Sequence, residues 1–297
     1  MDTLAYDLKN LTHRNGEGSF LTRKQRHRGL QLVARELAGL GYKLPGASSL
    51  KPKHITALVE SWKGAGLNAG TLRNRMGWLR WWAEQVRKTS VLPRDNAALG
   101  IEARTVWKGD RTENITKRAD IETLPEEWMR LAVRLQLGFG LRLEESLKFQ
   151  PGTADKGTLV ALQAGWCKGG RARAIPLTME RQRDLLDDVH TACGLRSIIP
   201  PEMSYIQARK ALEKATAALG IRNMHRHRHW YAQRRYEALA GFPCPAKGGN
   251  TYQNMSRAER ATDYRARLAV SRELGHNRVS ITDAYLGPRF GRKAPDA

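Results

Sequence analysis

The sequence predicts a mainly α-helical protein in two parts, a helical front and an α+β rear holding a small antiparallel sheet. Three observations carry this. Apolar residues in the first hundred positions recur at the helical period, a polar stretch near residue 110 loses any period, and two strand-like runs further on flank a glycine turn. At 297 residues and 41% hydrophobic content, the chain can give each of two domains a core.

The first strong helix is expected from about Lys24 to Leu40, with Gly41 as its stop. In KHITALVESW the apolar Ile55, Leu58, Val59 and Trp62 follow i, i+3, i+4, i+7, which lines one helix face. In NAGTLRNRMGWLRWWAEQVRK, Asn68 is placed to cap a helix whose stripe is Leu72, Met76, Leu79, Ala83 and Val86. Off that stripe stand Arg73, Arg75, Arg80, Arg87 and Lys88, beside Trp81 as a candidate exposed aromatic. Each arginine alone reads as a solvated charge. Together they suit a surface laid along DNA phosphates.

After residue 103 the stretch TVWKGDRTENITKR is polar and aperiodic, so 104–118 reads as a linker between domains 1–103 and 119–297. The segment EEWMRLAVRLQLGFGLRLEESLKF is ambiguous. Trp128, Leu131, Ala132 and Leu135 fit a helix, while Leu131, Val133, Leu135 and Leu137 alternate like a strand. TLVALQAGW and RARAIPL flank CKGG, predicting two antiparallel strands with Lys168 at the turn tip. Helices are expected again over 205–219 and 225–240.

The net charge of +22 says most about partners, because such a field attracts polyanions. The excess is +10 through residue 115 and +12 beyond it, so both domains are expected to touch the same nucleic acid. No run approaches the length of a membrane span, and the start MDTLAYDLKN lacks a secretory pattern, which predicts a cytoplasmic protein without a membrane partner. Cys167, Cys193 and Cys244 are odd in number and have no CxxC spacing. They suggest neither a disulfide framework nor a cysteine zinc site.

The stretch HRHRHWYAQ puts His225, Arg228 and His229 on one face of a helix near its N-terminus. A metal pair at i, i+4 lacks the glutamate of HExxH and is crowded by arginines, so no metal is expected. A phosphate suits both the arginine and the positive helix end. Downstream, SRELGHNRVSITDAYLG places His276 nine residues before Tyr285. Upstream, GLRLEES supplies Arg142 and Glu145, and the CKGG turn supplies Lys168.

That order resembles the catalytic signature of the tyrosine recombinase (phage integrase) family, closest in wording to integrases of integrative mobile elements. The resemblance implies a helical core-binding domain followed by a catalytic domain, a helix ahead of the GLR turn, and a 3′-phosphotyrosine intermediate needing neither ATP nor metal. It implies double-stranded DNA recombination sites as partners, a homotetramer on two duplexes, and an accessory DNA-bending or directionality factor. His225 and His276 are 51 residues apart, with surplus over 241–260 that reads as an inserted loop. Twelve residues follow Tyr285, where relatives carry a longer tail that docks on a neighbouring subunit.

The residue types fit phosphodiester chemistry on their own terms. Tyr285 is the candidate nucleophile, and Arg142 and Arg228 neutralise the non-bridging oxygens. Lys168 protonates the leaving 5′ oxygen, and His225 moves the tyrosine's proton. His276 holds the phosphate or orients a neighbour, and Glu145 braces Arg142. His227 is read as structural or as a DNA contact, and Arg226, Arg234 and Arg235 as backbone contacts or solvated charges. Two alternatives share the pattern: a type IB topoisomerase that only relaxes supercoils, and a DNA-binding regulator without activity.

Overall fold

The computed structural model describes residues 3–103, 106–112, 115–276 and 278–290. The chain forms two compact units, Met1–Thr105 and Val106–Ala297, each with its own apolar core.

The first unit packs α1 (Thr3–Arg14), α2 (Phe20–Gly39), α3 (Pro52–Gly64) and α4 (Ala69–Gln85). Each contributes a periodic apolar face: Leu4 and Leu8, then Leu30, Val33 and Leu37, then Ile55, Leu58, Val59 and Trp62, then Leu72, Met76, Leu79 and Trp82. Burying each such side chain contributes about 1.5–3 kcal/mol. Ser19 and Asn68 accept from the backbone N–H of Thr22 and Thr71, capping α2 and α4 as their side-chain oxygens allow. Helices α2 and α4 approach so closely that a Cβ on Gly29 would stand 2.2 Å from the Trp78 ring. Val86 lies just past the end of α4 and is only partly buried.

Trp81 is buried rather than exposed, and Arg26 of α2 stacks over its ring at 4.1 Å. The sequence pattern missed this because a residue off the main stripe is still covered when a long side chain from a neighbouring helix lies across it.

The second unit begins with α5 (Arg118–Glu122) and α6 (Glu127–Phe139). The ambiguous segment is thus a helix. Trp128, Leu131, Ala132, Leu135 and Phe139 bury one face, and Val133 is covered as well because α6 packs against several elements at once. Next come α7 (Leu143–Leu147) and α8 (Pro151–Ala154), then the hairpin of β1 (Leu159–Leu162) and β2 (Arg173–Pro176), paired Leu159↔Pro176 to Leu162↔Arg173. The strands are shorter than the sequence suggests. Ala164–Trp166 makes a 3₁₀ turn, so Lys168 lies in a longer loop rather than a tight turn. α9 (Glu180–Cys193), α10 (Tyr205–Ala218), α11 (His225–Ala240), α12 (Arg257–Glu273) and α13 (Asp283–Leu286) complete the unit.

Two segments differ from their sequence reading. The stretch 241–260 is a loop only as far as Ser256, which caps α12 reciprocally with Glu259. Within 104–118, the described residues 106–112 and 115–118 mix exposed and buried positions. Thr112 and Thr116 are buried and hydrogen-bonded to Gln233 and His227, so residues from Val106 onward belong to the second unit. Among the described residues, no helix is long and apolar enough to cross a membrane.

Candidate active site

The site starts at the GLR turn. Gly140 has φ +61°, and a Cβ there would meet the Tyr231 ring at 2.5 Å, so only glycine can end α6 and turn this closely past α11. The turn sets Arg142 at the start of α7. There its backbone N–H donates to Glu145 Oε2 at 2.7 Å and its guanidinium donates to Glu145 Oε1 at 2.7 Å. Glu145 is fully buried, and Arg173 of β2 grips both its oxygens at 2.8 and 2.7 Å. Burial alone would raise this carboxyl, but the hydrogen bonds and charge of Arg173, joined by Arg142 and Arg228, bring it down to about 2. A permanent anion therefore holds three cations together.

Arg228 is the deepest of the three. It is 1% exposed, donates to the Gly140 carbonyl at 2.6 Å and to the Leu274 carbonyl, and lies 4.0 Å from Glu145. Desolvation lowers its guanidinium to about 10, which still leaves it charged near neutral pH. Its Nε is 3.5 Å from the Tyr285 hydroxyl. His276 follows the end of α12, and its Nε2 is 3.3 Å from the same hydroxyl.

Tyr285 is 6% exposed on α13, with its ring 4.6 Å from that of His229, 5.8 Å from His276 and 6.0 Å from His225. Arg142, Glu145, Arg228, His276 and Tyr285 are thus brought together. His225 stands at the exposed rim. Desolvation and then the charges of Arg228 and Arg142 lower its imidazole to about 4. Lys168 is exposed in the hairpin loop, near enough for its charge to count at His225.

Desolvation lowers His276 to about 4, with Arg228 and Arg142 adding to it. The three imidazoles that ring Tyr285 are therefore neutral at pH 7, His229 included at about 3. The resulting basin is cationic through its arginines, with neutral bases beside a hydroxyl. It can receive a phosphoryl group and take a proton from the attacking oxygen. Among the described residues, no group of three or more His, Cys, Asp and Glu side chains is arranged to hold a metal ion.

Other residues singled out in the sequence lie elsewhere. His227 points inward, bonded to Thr116 at 2.7 Å and Gln136 at 3.4 Å, which is a structural position. Arg235 pairs with Glu273 at 3.0 Å, and Arg234 stacks on Trp230 at 5.1 Å. In the first unit, Arg75 is turned onto Glu36 at 2.7 Å, and Arg80 bonds Asn96. Arg73 and Lys88 reach the carbonyls of Glu102 and Ser48, and Arg87 and Lys88 remain exposed.

Sequence reasoning missed Arg173, Asp263 and Arg267. Alternation along RARAIPL puts Arg173 on the same face as the buried Ile175, which is a legible signal. Asp263 and Arg267 stand four apart on α12 and are both fully buried, with Arg267 Nε 2.9 Å from both carboxylate oxygens.

Residues 1–91 match the family described as phage integrase, N-terminal. A search of curated proteins finds no match. Solved structures match over nearly the full chain. The Tn1549 transposon integrase, in complex with circular intermediate DNA, aligns with TM-score 0.59 at 13% identity, covering 96% of this chain and 95% of that one. A lambda integrase dimer on a COC′ core site gives 0.61 at 15%, covering 97% and 95%. The XerH site-specific recombinase, bound to a palindromic difH substrate, gives 0.60 at 13%, covering 95% and 80%. The first 91 residues thus match a model of the phage integrase N-terminal domain, and the chain as a whole shares the fold of these integrase and recombinase structures.

Proposed function

We propose that this protein is a site-specific DNA recombinase that integrates or excises mobile DNA through a 3′-phosphotyrosine intermediate. The observation that carries the reading is the Tyr285 hydroxyl, held within reach of both His276 Nε2 and Arg228 Nε in a basin whose arginines are fixed by a buried glutamate. In the proposed reaction, the scissile phosphate enters between Arg142 and Arg228. The Tyr285 oxygen attacks phosphorus, its proton passes to a neutral imidazole, and the 5′ oxygen leaves with a proton from Lys168. Attack by the 5′ hydroxyl of another strand reverses the step and restores the tyrosine. Bond energy is conserved throughout, so the reading requires no cofactor.

His276, rather than His225, is the ring bonded to the hydroxyl in the free protein, which favours it as the first proton acceptor. His225 at the rim then suits the phosphate or the departing strand. Glu145 and Arg173 set the guanidinium positions without meeting substrate.

The integrase and recombinase structures of this fold are DNA complexes, and one is a lambda integrase tetramer bound to a Holliday junction. We carry that assembly over: a homotetramer on two duplexes, both domains of each subunit on DNA, with an accessory bending or directionality factor, in the cytoplasm. Arg73, Arg87 and Lys88 are retained as phosphate contacts of the first domain. Arg75 and Arg80, already engaged with Glu36 and Asn96, are reassigned to holding that domain's helices.

The test uses DNA cloned from the sequences that flank the gene on either side. A nicked substrate should trap a denaturant-resistant adduct mapped to Tyr285, and strand exchange should require two such sites. Relaxation of supercoils with one site and no exchange would instead mark a topoisomerase, and binding without any adduct would mark a regulator.

A further inference from the structure

We propose that Asp110 is a positioning residue for the cleavage step, orienting the Gln233 amide so that its NH2 end holds the Tyr285 carbonyl. The inference rests on the reading of Tyr285 as nucleophile. It starts from the shortness of α13: four residues make barely one turn, and the carbonyls at its end have no partner within the helix. Donors for them must come from elsewhere in the fold.

Gln233 supplies one. It lies one turn beyond His229 on α11 and is 4% exposed, and its Nε2 donates to the Tyr285 carbonyl at 3.1 Å and to Asp110 Oδ1 at 2.9 Å. Its Oε1 lies 3.2 Å from the Thr112 hydroxyl, which can donate to it or to Asp110. The two ends of a glutamine amide are nearly equal in size, so shape does not choose between them. Asp110 does. An ionised carboxylate only accepts, so it admits the NH2 end alone, and the second N–H is then turned toward the carbonyl. A reversed amide would set its oxygen against two acceptors in a place with little access to water.

Asp110 is itself held as an anion. Desolvation would raise its carboxyl, but hydrogen bonds from Gln233, Lys247 and Thr112 bring it down to about 2. The Lys247 ammonium donates to Oδ2 at 2.8 Å, leaving Oδ1 to Gln233 and to the Thr112 backbone N–H at 3.1 Å. The backbone of the nucleophile is thus set through the first residues of the second unit, in contacts that leave the Tyr285 hydroxyl to the catalytic groups.

Full-length Asp110→Asn tests the role. The substituted side chain has one accepting oxygen, which the Lys247 charge claims, so its NH2 faces Gln233 and reverses that amide. Single-turnover cleavage should fall about tenfold, as expected for one lost hydrogen bond at the reacting residue, with DNA affinity within about twofold. Lys247→Met leaves the carboxylate in place and removes only an exposed cation, so it should cleave within about twofold of wild type. Combining the two substitutions frees the asparagine oxygen for Gln233, and cleavage should return to within about threefold of wild type. A role as a salt bridge alone predicts otherwise: Lys247→Met as slow as Asp110→Asn, and the double variant no faster than either.

Isotopic labelling of glutamine side chains reads the orientation directly. The Gln233 NH2 signal, identified by its absence in Gln233→Leu, should exchange slowly with water in the wild type and fast in Asp110→Asn. Unchanged cleavage in Asp110→Asn, or equal slowing by Lys247→Met, would overturn the proposal. Should the wild-type protein form no adduct at Tyr285, the nucleophile reading fails, and the amide signal still decides whether Asp110 orients Gln233.

Discussion

The Tyr285 hydroxyl lies 3.3 Å from Nε2 of His276. The tyrosine is thereby paired, before any DNA arrives, with an imidazole kept neutral by desolvation and by the Arg228 and Arg142 charges. Those same charges make the pocket attractive to a phosphate. In the proposed reaction the negative charge of the phosphate would offset theirs, making the imidazole a better proton acceptor at the point where the hydroxyl loses its proton. Glu145 is what allows three guanidinium groups to share so small a volume.

Replacing Tyr285 by phenylalanine should abolish covalent adducts while leaving DNA affinity nearly unchanged. The hydroxyl reacts but adds little to a grip set by backbone phosphates. A gel of denatured complexes on a nicked substrate reads the first effect, and a binding titration at fixed salt reads the second. A persistent adduct would remove Tyr285 from its role.

Lys168→Ala should cleave ordinary DNA slowly, since an alkoxide is a poor leaving group without a proton. Its exposed position in the loop between β1 and β2 gives it freedom to reach that oxygen. With sulfur in place of the bridging 5′ oxygen the leaving group needs no proton, so the variant should recover most of its rate. Arg142→Ala should not recover, because charge on the non-bridging oxygens is unaffected by the swap. Equal slowness of Lys168→Ala on both substrates would make the lysine a DNA contact only.

Glu145→Gln keeps the shape of the side chain but removes the anion from a fully buried site, leaving Arg173 and Arg228 without their counter-charge. Breaking such a pair should cost about 3–5 kcal/mol of stability in the second unit. Cleavage should fall as well, because the amide keeps one accepting oxygen and turns the other into an NH2 donor facing the Arg142 and Arg173 donors, so Arg142 cannot keep both of its hydrogen bonds. Denaturant unfolding and single-turnover cleavage check the two parts. An unchanged unfolding midpoint would show that the arginines hold their places without Glu145.

Stability should decline toward acid in two overlapping ranges. His227 and His229 are buried with imidazoles lowered to about 4 and about 3, so between those values and 6.5 the unfolded chain binds more protons than the folded one. Their contribution is complete above pH 6.5 and is lost as pH falls toward 4, at roughly 3 kcal/mol for His227. Glu145, lowered from 4.5 to about 2, adds a loss that starts below pH 4.5 and runs to pH 2. Unfolding followed from pH 8 to pH 3 tests this, and a flat profile between pH 6.5 and 4 would contradict it. Asp110 and Asp155, also lowered to about 2, share this acidic range, so Glu145→Gln should shrink the more acidic part without removing it and leave the histidine part unchanged.

Much of the front unit was legible because one-face amphipathicity is a local property. The stripe through Leu72, Met76 and Leu79 and the cap at Asn68 need only the chain's own period and its own polar groups. Helices α9 and α12 were harder to see, since their charged sequences carry few apolar residues and gain their covered face from neighbours. Trp81 failed for a related reason: whether a side chain is wet depends on what lies across it, here Arg26.

At the site, the sequence by itself determined which chemistry was at hand: the arginines, the histidines and the tyrosine, and glycines where backbone must turn closely, as Gly140 does beside Tyr231. Only the tertiary structure decided which histidine meets the hydroxyl and which arginine stands behind Glu145. His276 and Arg173 come to the pocket from elements far apart in sequence, brought there by helix packing and strand pairing. The same holds for Asp110 and Gln233, which meet across 123 positions of sequence. Hydrogen bonds and ion pairs act over a few ångströms, so their partners are chosen by the folded path of the chain, whereas residue types and local periods are already written along it.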